Sequence, residues 1–285
     1  MNIIYIDQKN TTVTTKENKL LINTQKIPFK LIDIIVLSGN YSLETKDILN
    51  ITQNSISLLF ITNNLKKSAV VNSTNAKNSE LKLKQYRAST NPLKVAKYIL
   101  KNKIVTHNSH LKSLNLKSNL SYINKIENAN SLDELLGIEG SFSRYYFYQY
   151  FNLFPKKICK GKRSKQPPLD PLNAMLSFSY TLFYNFIAIR LITFGFEPSI
   201  GFLHRPFREH YALSSDILEI YRASINGFTK ELFDSKTLTI NDFTKQKGVY
   251  LKYTSRKKFW SNFNTFYQTQ QSKIDNTISE IRSIL

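Results

Sequence analysis

The chain has 285 residues, 41% of them hydrophobic, which suffices for one large domain or two ordinary ones with real cores. Lysine and arginine number 40 against 20 acids, a formal charge of +20 with a pI near 9.8, and this points to a polyanionic partner. The single cysteine, Cys159, excludes an intrachain disulfide and any cysteine-based zinc site, and fits a reducing cytoplasm.

Residues 1–72 hold eight basic and five acidic groups, so residues 73–285 hold 32 against 15, and the basic surface belongs to the C-terminal part. The start, M-N-I-I-Y-I-D, lacks a basic region leading into a long apolar run and so is not read as a signal peptide. Residues 1–72 are expected to form a small β-rich domain. Its strands are read at Ile3–Ile6, Thr11–Thr15, Leu20–Asn23, Ile32–Leu37, Ser57–Thr62 and Ala69–Val71, with a short helix over Thr45–Gln53. A sheet of this size must cover an edge, so self-association is its expected role.

From Lys77 the period becomes helical, through Leu81, Leu83 and Tyr86 and then Val95, Tyr98, Ile99 and Ile104, with Pro92 placed to open the second helix. Residues 73–90 are assigned to a linker and first helix, and 91–285 to an α-helical domain. The expected fold is therefore α+β in two domains, the larger one mainly helical. Ser131 and Glu134 form a capping box that puts Glu139 in the second or third turn, beside Leu135, Leu136 and Phe142. Lys156–Lys165 carries six basic residues in ten positions and is read as a mobile loop, either touching phosphate or solubilising the chain. Asp170 and Pro171 open an aromatic helix that Gly195 ends; it contains Asn185 and Arg190, so it is read as a buried helix and not a membrane span. Ser255 to Lys258 opens the last helix with three consecutive cations, which hints at an anion nearby.

His204 precedes Asp216 and Glu219, whose spacing of three stacks both carboxylates on one face of a helix. Together with Glu139 these are hard oxygen donors plus one imidazole, which suits magnesium or manganese better than zinc. His107 and His110 have no acid near them in the chain and are read as surface histidines. The absence of H-E-x-x-H, G-x-S-x-G and P-loop patterns removes zincin, serine-hydrolase and common nucleotide-binding readings. Three readings stay open from the residues alone: a metal-dependent DNA enzyme, a basic binding module with structural acids, and an RNA-processing nuclease. Arg205, Arg208 and Arg222 beside the acids favour the enzyme.

The run P-P-L-D-P-L-N-A-M-L-S-F-S-Y-T-L-F-Y, then F-E-P-S-I-G-F-L-H and D-I-L-E-I-Y-R, resembles the CRISPR-associated spacer-acquisition integrase family. The likeness extends to G-I-E-G at Gly137–Gly140 and to the S-R-K-K-F stretch near the end. It implies that Glu139, His204 and Glu219, with Asp216 as a ligand or neighbouring acid, hold Mg2+ or Mn2+. An aspartate is expected where this chain has Asn226. The resemblance also implies a homodimer through the N-terminal domains, a small ferredoxin-like CRISPR-associated partner, and attack of a spacer duplex 3′-hydroxyl on a CRISPR-repeat phosphodiester. A stand-alone structure-selective DNA nuclease and a non-catalytic basic nucleic-acid-binding protein are the alternatives. Double-stranded DNA contacts are expected at Lys162, Arg163, Lys165, Arg205, Arg208, Arg222, Arg256, Lys257 and Lys258. Glu139→Gln, His204→Ala and Asp216→Asn or Glu219→Gln are each expected to abolish catalysis, to leave DNA binding largely intact and to cost the fold little, because clustered acids repel.

Overall fold

Short β-branched runs between polar turns build two small sheets in the N-terminal region of this computed structural model, which describes residues 3–8, 10–62, 67–72, 78–205 and 210–285. The first strands are β1 (Ile3–Ile6), β2 (Val13–Lys16), β3 (Lys19–Ile22), β4 (Gln25–Pro28) and β5 (Ile34–Ser38). Helix α1 (Thr45–Gln53), β6 (Ser57–Ile61) and β7 (Ser68–Val71) follow. One sheet has the order β1-β5-β6-β7, parallel except for the antiparallel edge strand β7; the other is the antiparallel meander β2-β3-β4. Glu17 and Asn18, both at positive φ, make the two-residue turn that matches the twist of the β2–β3 hairpin. Strand β4 is absent from the sequence reading because Q-K-I-P carries two polar residues and a proline. As the end strand of its meander it tolerates that proline.

Ile35, Leu37 and Leu58 join Val13, Leu20, Phe29 and Ile51 in one core. Asp47 of α1 accepts from the Thr15 N–H at 2.8 Å and its hydroxyl at 2.7 Å, fixing the helix to β2. Strand β5 is buried along its whole length, so its second face is covered as well. On that face Tyr5, in register with Val36, stacks on Trp260 with ring centroids 3.5 Å apart. Residues Trp260–Ile274 accordingly belong to the first unit with Met1–Lys77, while Asn78–Phe259 and Asp275–Leu285 form the second. The expected assignment of 91–285 to a single domain is corrected on this point.

The second unit contains α2 (Ser79–Thr90), α3 (Leu93–Ser113), α4 (Ser121–Asn128), α5 (Leu132–Phe151), α6 (Pro171–Phe194) and α7 (Ala212–Asp234). A hairpin of β8 (Phe243–Lys245) and β9 (Val249–Leu251) leads to α8 (Arg256–Ile284). Helix α7 is packed by both α3 and α6. Local chemistry sets the ends of α6: the Asp170 carboxylate caps Asn173 N–H at 2.7 Å, and Gly195 takes the left-handed conformation at φ 89°. Long and apolar enough to cross a membrane, α6 is instead largely buried within the protein. Its Arg190 makes a bidentate pair with Asp275, at 2.8 and 2.7 Å. On α2 the periodicity misleads, since Leu83 and Tyr86 are 58% and 64% exposed, and the buried residues are Leu81 and Gln85.

Candidate active site

The site is built on α3, α5 and α7 and on the loop that follows α6. Ser131 caps α5 by accepting the Glu134 N–H, while the Glu134 carboxylate reaches back to the Asn130 N–H at 2.8 Å. Glu139, two turns further on, is half-buried. Asp216, Glu219 and Arg222 lie at intervals of three along α7, and Arg222 Nε donates to Glu219 Oε1 at 2.8 Å.

The loop carrying His204 is pinned at both ends of its path. Upstream, the buried Gln85 amide donates to the carbonyls of Glu197 and Ile200 and accepts the Glu197 N–H. Downstream, the Asp216 carboxylate, fully buried, accepts the N–H groups of Phe202 (2.6 Å), Leu203 (3.0 Å) and His204 (2.8 Å). It also takes His204 Nδ1 at 2.7 Å. Gly201 permits this closeness, because a Cβ there would stand 2.9 Å from Asp216 Oδ2 and 2.8 Å from the Ala212 Cβ. All four acceptor positions of Asp216 are therefore in use. Burial opposes a charged His204, but the hydrogen bond and the charge of Asp216 outweigh it and raise the imidazole above its ordinary range.

Glu139 and Glu219 come together on Lys103 of α3, which sequence reasoning missed. Its Nζ bonds Glu139 Oε1, Glu219 Oε2 at 2.6 Å and Ser143 Oγ at 3.0 Å, and the residue is 1% exposed. Burial would raise the Glu219 carboxyl, but Arg222 and Lys103 overcome that and hold it well below the usual carboxylate range. A readable signal existed, since Lys103 falls on the buried stripe of Val95, Ile99, Ile104 and His107.

Lys103, Glu139, His204, Glu219 and Arg222 line one cleft of about 520 Å³, with Arg144, Lys162, Arg163, Lys165, Tyr148 and Phe151 around it. Two carboxylates and an imidazole whose Nδ1 is already committed make a donor set that fits a hard divalent ion, through the Glu139 and Glu219 oxygens and His204 Nε2. Among the described residues no three His, Cys, Asp or Glu side chains form a ready-made cage, because the Lys103 ammonium lies between the glutamates.

Several expected positions are corrected. His107 and His110 are not surface residues: His107 Nδ1 meets the Lys103 carbonyl at 2.8 Å, and His110 Nδ1 meets the Tyr146 hydroxyl at 2.6 Å. Burial lowers both, His110 to about 4. Arg163 is no free phosphate contact, since its guanidinium bonds Asn173 Oδ1 at 2.9 Å and Ser177 Oγ at 3.0 Å and lies over the Tyr180 ring. Those bonds also anchor the segment read as a mobile loop. Arg256 is 8% exposed, held against the rings of Phe178 and Tyr253, and Lys258 bonds Asp242 at 2.9 Å. Asp242 supplies the anion that the cationic helix start suggested. Lys162, Lys165 and Lys257 are exposed, as is Arg205, which stands 3.6 Å from Asp133. Arg208 lies outside the described residues. Asn226 is fully buried; its Oδ1 accepts from the Tyr180 hydroxyl and its Nδ2 donates to the Tyr146 hydroxyl at 3.0 Å.

The family described as CRISPR associated protein Cas1 matches residues 4–265. A CRISPR-associated endonuclease Cas1 of Thermodesulfovibrio yellowstonii is 33% identical, over 95% of this chain and 93% of that protein. Among solved structures, a Cas1 protein from Thermotoga maritima has a TM-score of 0.90 at 20% identity, covering 99% of this chain and 96% of its own. A casposase bound to integration product has a TM-score of 0.82 at 20% identity, over 93% and 82% of the two chains. Chains of the same fold have also been solved in a Cas6-RT-Cas1–Cas2 complex and in a Cas1–DNA complex. With the family match spanning most of its length, this chain belongs to the Cas1 family of CRISPR-associated endonucleases.

Proposed function

We propose that the chain inserts short DNA duplexes into a CRISPR array, using a divalent ion, Mg2+ or Mn2+, held by Glu139, His204 and Glu219. The observation that carries this is the saturation of Asp216: a carboxylate with four acceptor contacts has nothing left for an ion, and its work is to fix the ring of His204 with Nε2 as the remaining nitrogen. Asp216 is thus a positioning residue, and Glu219 is the direct donor of the pair. When bound, the ion would supply Lewis-acid activation of a hydroxyl and of the phosphate.

The protein's own groups do the rest. Arg222, over the face of Tyr180, stands beside Glu219 as a cation for a phosphate oxygen, and Lys162 and Lys165 offer exposed positive charge at the cleft mouth. The reaction then depends on holding a 3′-hydroxyl in line with a target phosphodiester. The proposed assembly is a homodimer through the first unit, joined by a small ferredoxin-like CRISPR-associated partner of the Cas2 type, acting in the cytoplasm.

Incubation of the full chain and partner with Mn2+, a short duplex and repeat-containing DNA is expected to give a covalently joined product that a 3′-dideoxy end eliminates. Cut DNA without any joined species, or joining that survives the dideoxy block, would refute integration and leave hydrolysis with water as the activity.

A further inference from the structure

One buried cation, Lys103, and one half-buried, Arg222, already balance the two glutamates of the cleft. The three protons of the Lys103 ammonium are committed to Glu139, Glu219 and Ser143, and Arg222 holds the other oxygen of Glu219. The third carboxylate, Asp216, is taken up by backbone N–H groups and His204. Against the three carboxylates the two cations leave a net charge of only about −1 around an entering divalent ion, and in a low-dielectric cleft the repulsion from a unit positive charge a few ångströms away is large.

A lysine confined to a structural role would sit behind an ion pair and out of reach of the cleft. Lys103 instead lines the cleft together with both of its glutamates and His204. We propose that Lys103 is a resident counter-cation: it holds Glu139 and Glu219 on one ammonium in the metal-free chain and keeps divalent-ion binding weak until a DNA phosphodiester brings negative charge. Resting on the reading of Glu139, His204 and Glu219 as metal donors, this makes Lys103 a positioning residue that couples metal loading to DNA binding. By linkage, the ion must strengthen DNA binding by the same factor.

The test is Mn2+ titration of the full chain, read by the electron paramagnetic resonance of free Mn2+, with and without a short duplex. Wild-type protein is expected to bind Mn2+ about tenfold or more tightly with duplex than without, and Lys103→Met to bind it about tenfold or more tightly than wild type in the absence of DNA. Lys103→Met should lose most of the duplex dependence, while Lys103→Arg retains it. In chelator the Tm of Lys103→Met should fall, and Mn2+ should restore more of it than the ion adds to wild type. Equal or weaker DNA-free affinity in Lys103→Met would overturn the proposal and leave Lys103 a structural strut. Should that variant fail to fold, a duplex-independent Mn2+ affinity in wild type overturns the proposal as well. An unchanged Mn2+ affinity in Glu139→Gln identifies the other failure, that of the metal reading itself, and the proposal falls with it.

Discussion

Replacing Asp216 by Asn changes almost no volume and tests the role assigned to that carboxylate. Asp216 accepts four hydrogen bonds, two per oxygen: Phe202 and Leu203 N–H on Oδ2, His204 N–H and Nδ1 on Oδ1. An asparagine keeps one accepting oxygen and turns an NH2 group either against the Phe202 and Leu203 N–H groups or against the His204 N–H and Nδ1, where only the imidazole can adapt, by changing tautomer. One or two charge-assisted bonds are lost in a fully buried place, at about 1.5–3 kcal/mol each, so Asp216→Asn should destabilise the chain by about 1.5–6 kcal/mol. The expectation of a nearly neutral change assumed clustered, repelling acids; Asp216 is surrounded by donors, so that reasoning does not apply to it. Release of His204 should also cost about 10–100-fold in Mn2+ affinity or activity, measured under conditions where the variant is still folded. Urea unfolding is the assay. A loss below about 1 kcal/mol, with Mn2+ affinity unchanged, would show that the carboxylate does not hold the loop and would refute the argument.

Acid sensitivity should trace in part to His110. Its folded value near 4 lies below the ordinary value of 6.5, so the unfolded chain takes up the proton first, and stability present above pH 6.5 is lost as pH falls toward 4. The His110 share of the loss should approach roughly 3 kcal/mol, and His110→Gln should reduce the slope of stability across that window while leaving the share of His107, which burial lowers too; an unchanged pH profile would contradict the burial argument. Lys162→Gln with Lys165→Gln should lower the salt slope of DNA binding by about two, one per lost phosphate contact. Adding Arg163→Gln should lower unfolding stability while leaving that slope where the double variant put it.

Local rules made much of the fold legible, and long-range contacts account for what was missed. Caps such as Asp170 and Gly195 act within one turn, so they mark helix ends from sequence alone. The acids of the cleft could be named through the resemblance, but their division of labour could not. Whether Asp216 or Glu219 faces an ion depends on a loop folding back across fourteen residues onto α7. Charge pattern also says nothing of burial. Arg163 and Arg256 read as phosphate contacts because they are basic, whereas the rings of Tyr180 and Phe178 cover them. Lys103 was overlooked for the opposite reason, as one lysine among many whose position on an apolar stripe outweighs its identity. Asn226 departs from the expected aspartate at a place where its amide both donates to and accepts from tyrosine hydroxyls, which a carboxylate cannot do.

The sharing of α8 governs the order in which the chain can be completed during synthesis. The sheet of the first unit is finished as sequence by Lys77, but the stretch that places Trp260 on Tyr5 ends only at Ile274. At roughly 5–20 residues per second the ribosome needs about 10–40 s to deliver it. Throughout that interval one face of β5, with Ile34 and Val36, waits without its helix. A fragment ending at Lys77 would stay in that condition permanently, and a chain lacking the first 77 residues would carry Trp260 without Tyr5. Cutting between the two units in sequence therefore does not separate them in structure, and soluble halves should require residues 260–274 to be supplied to the sheet.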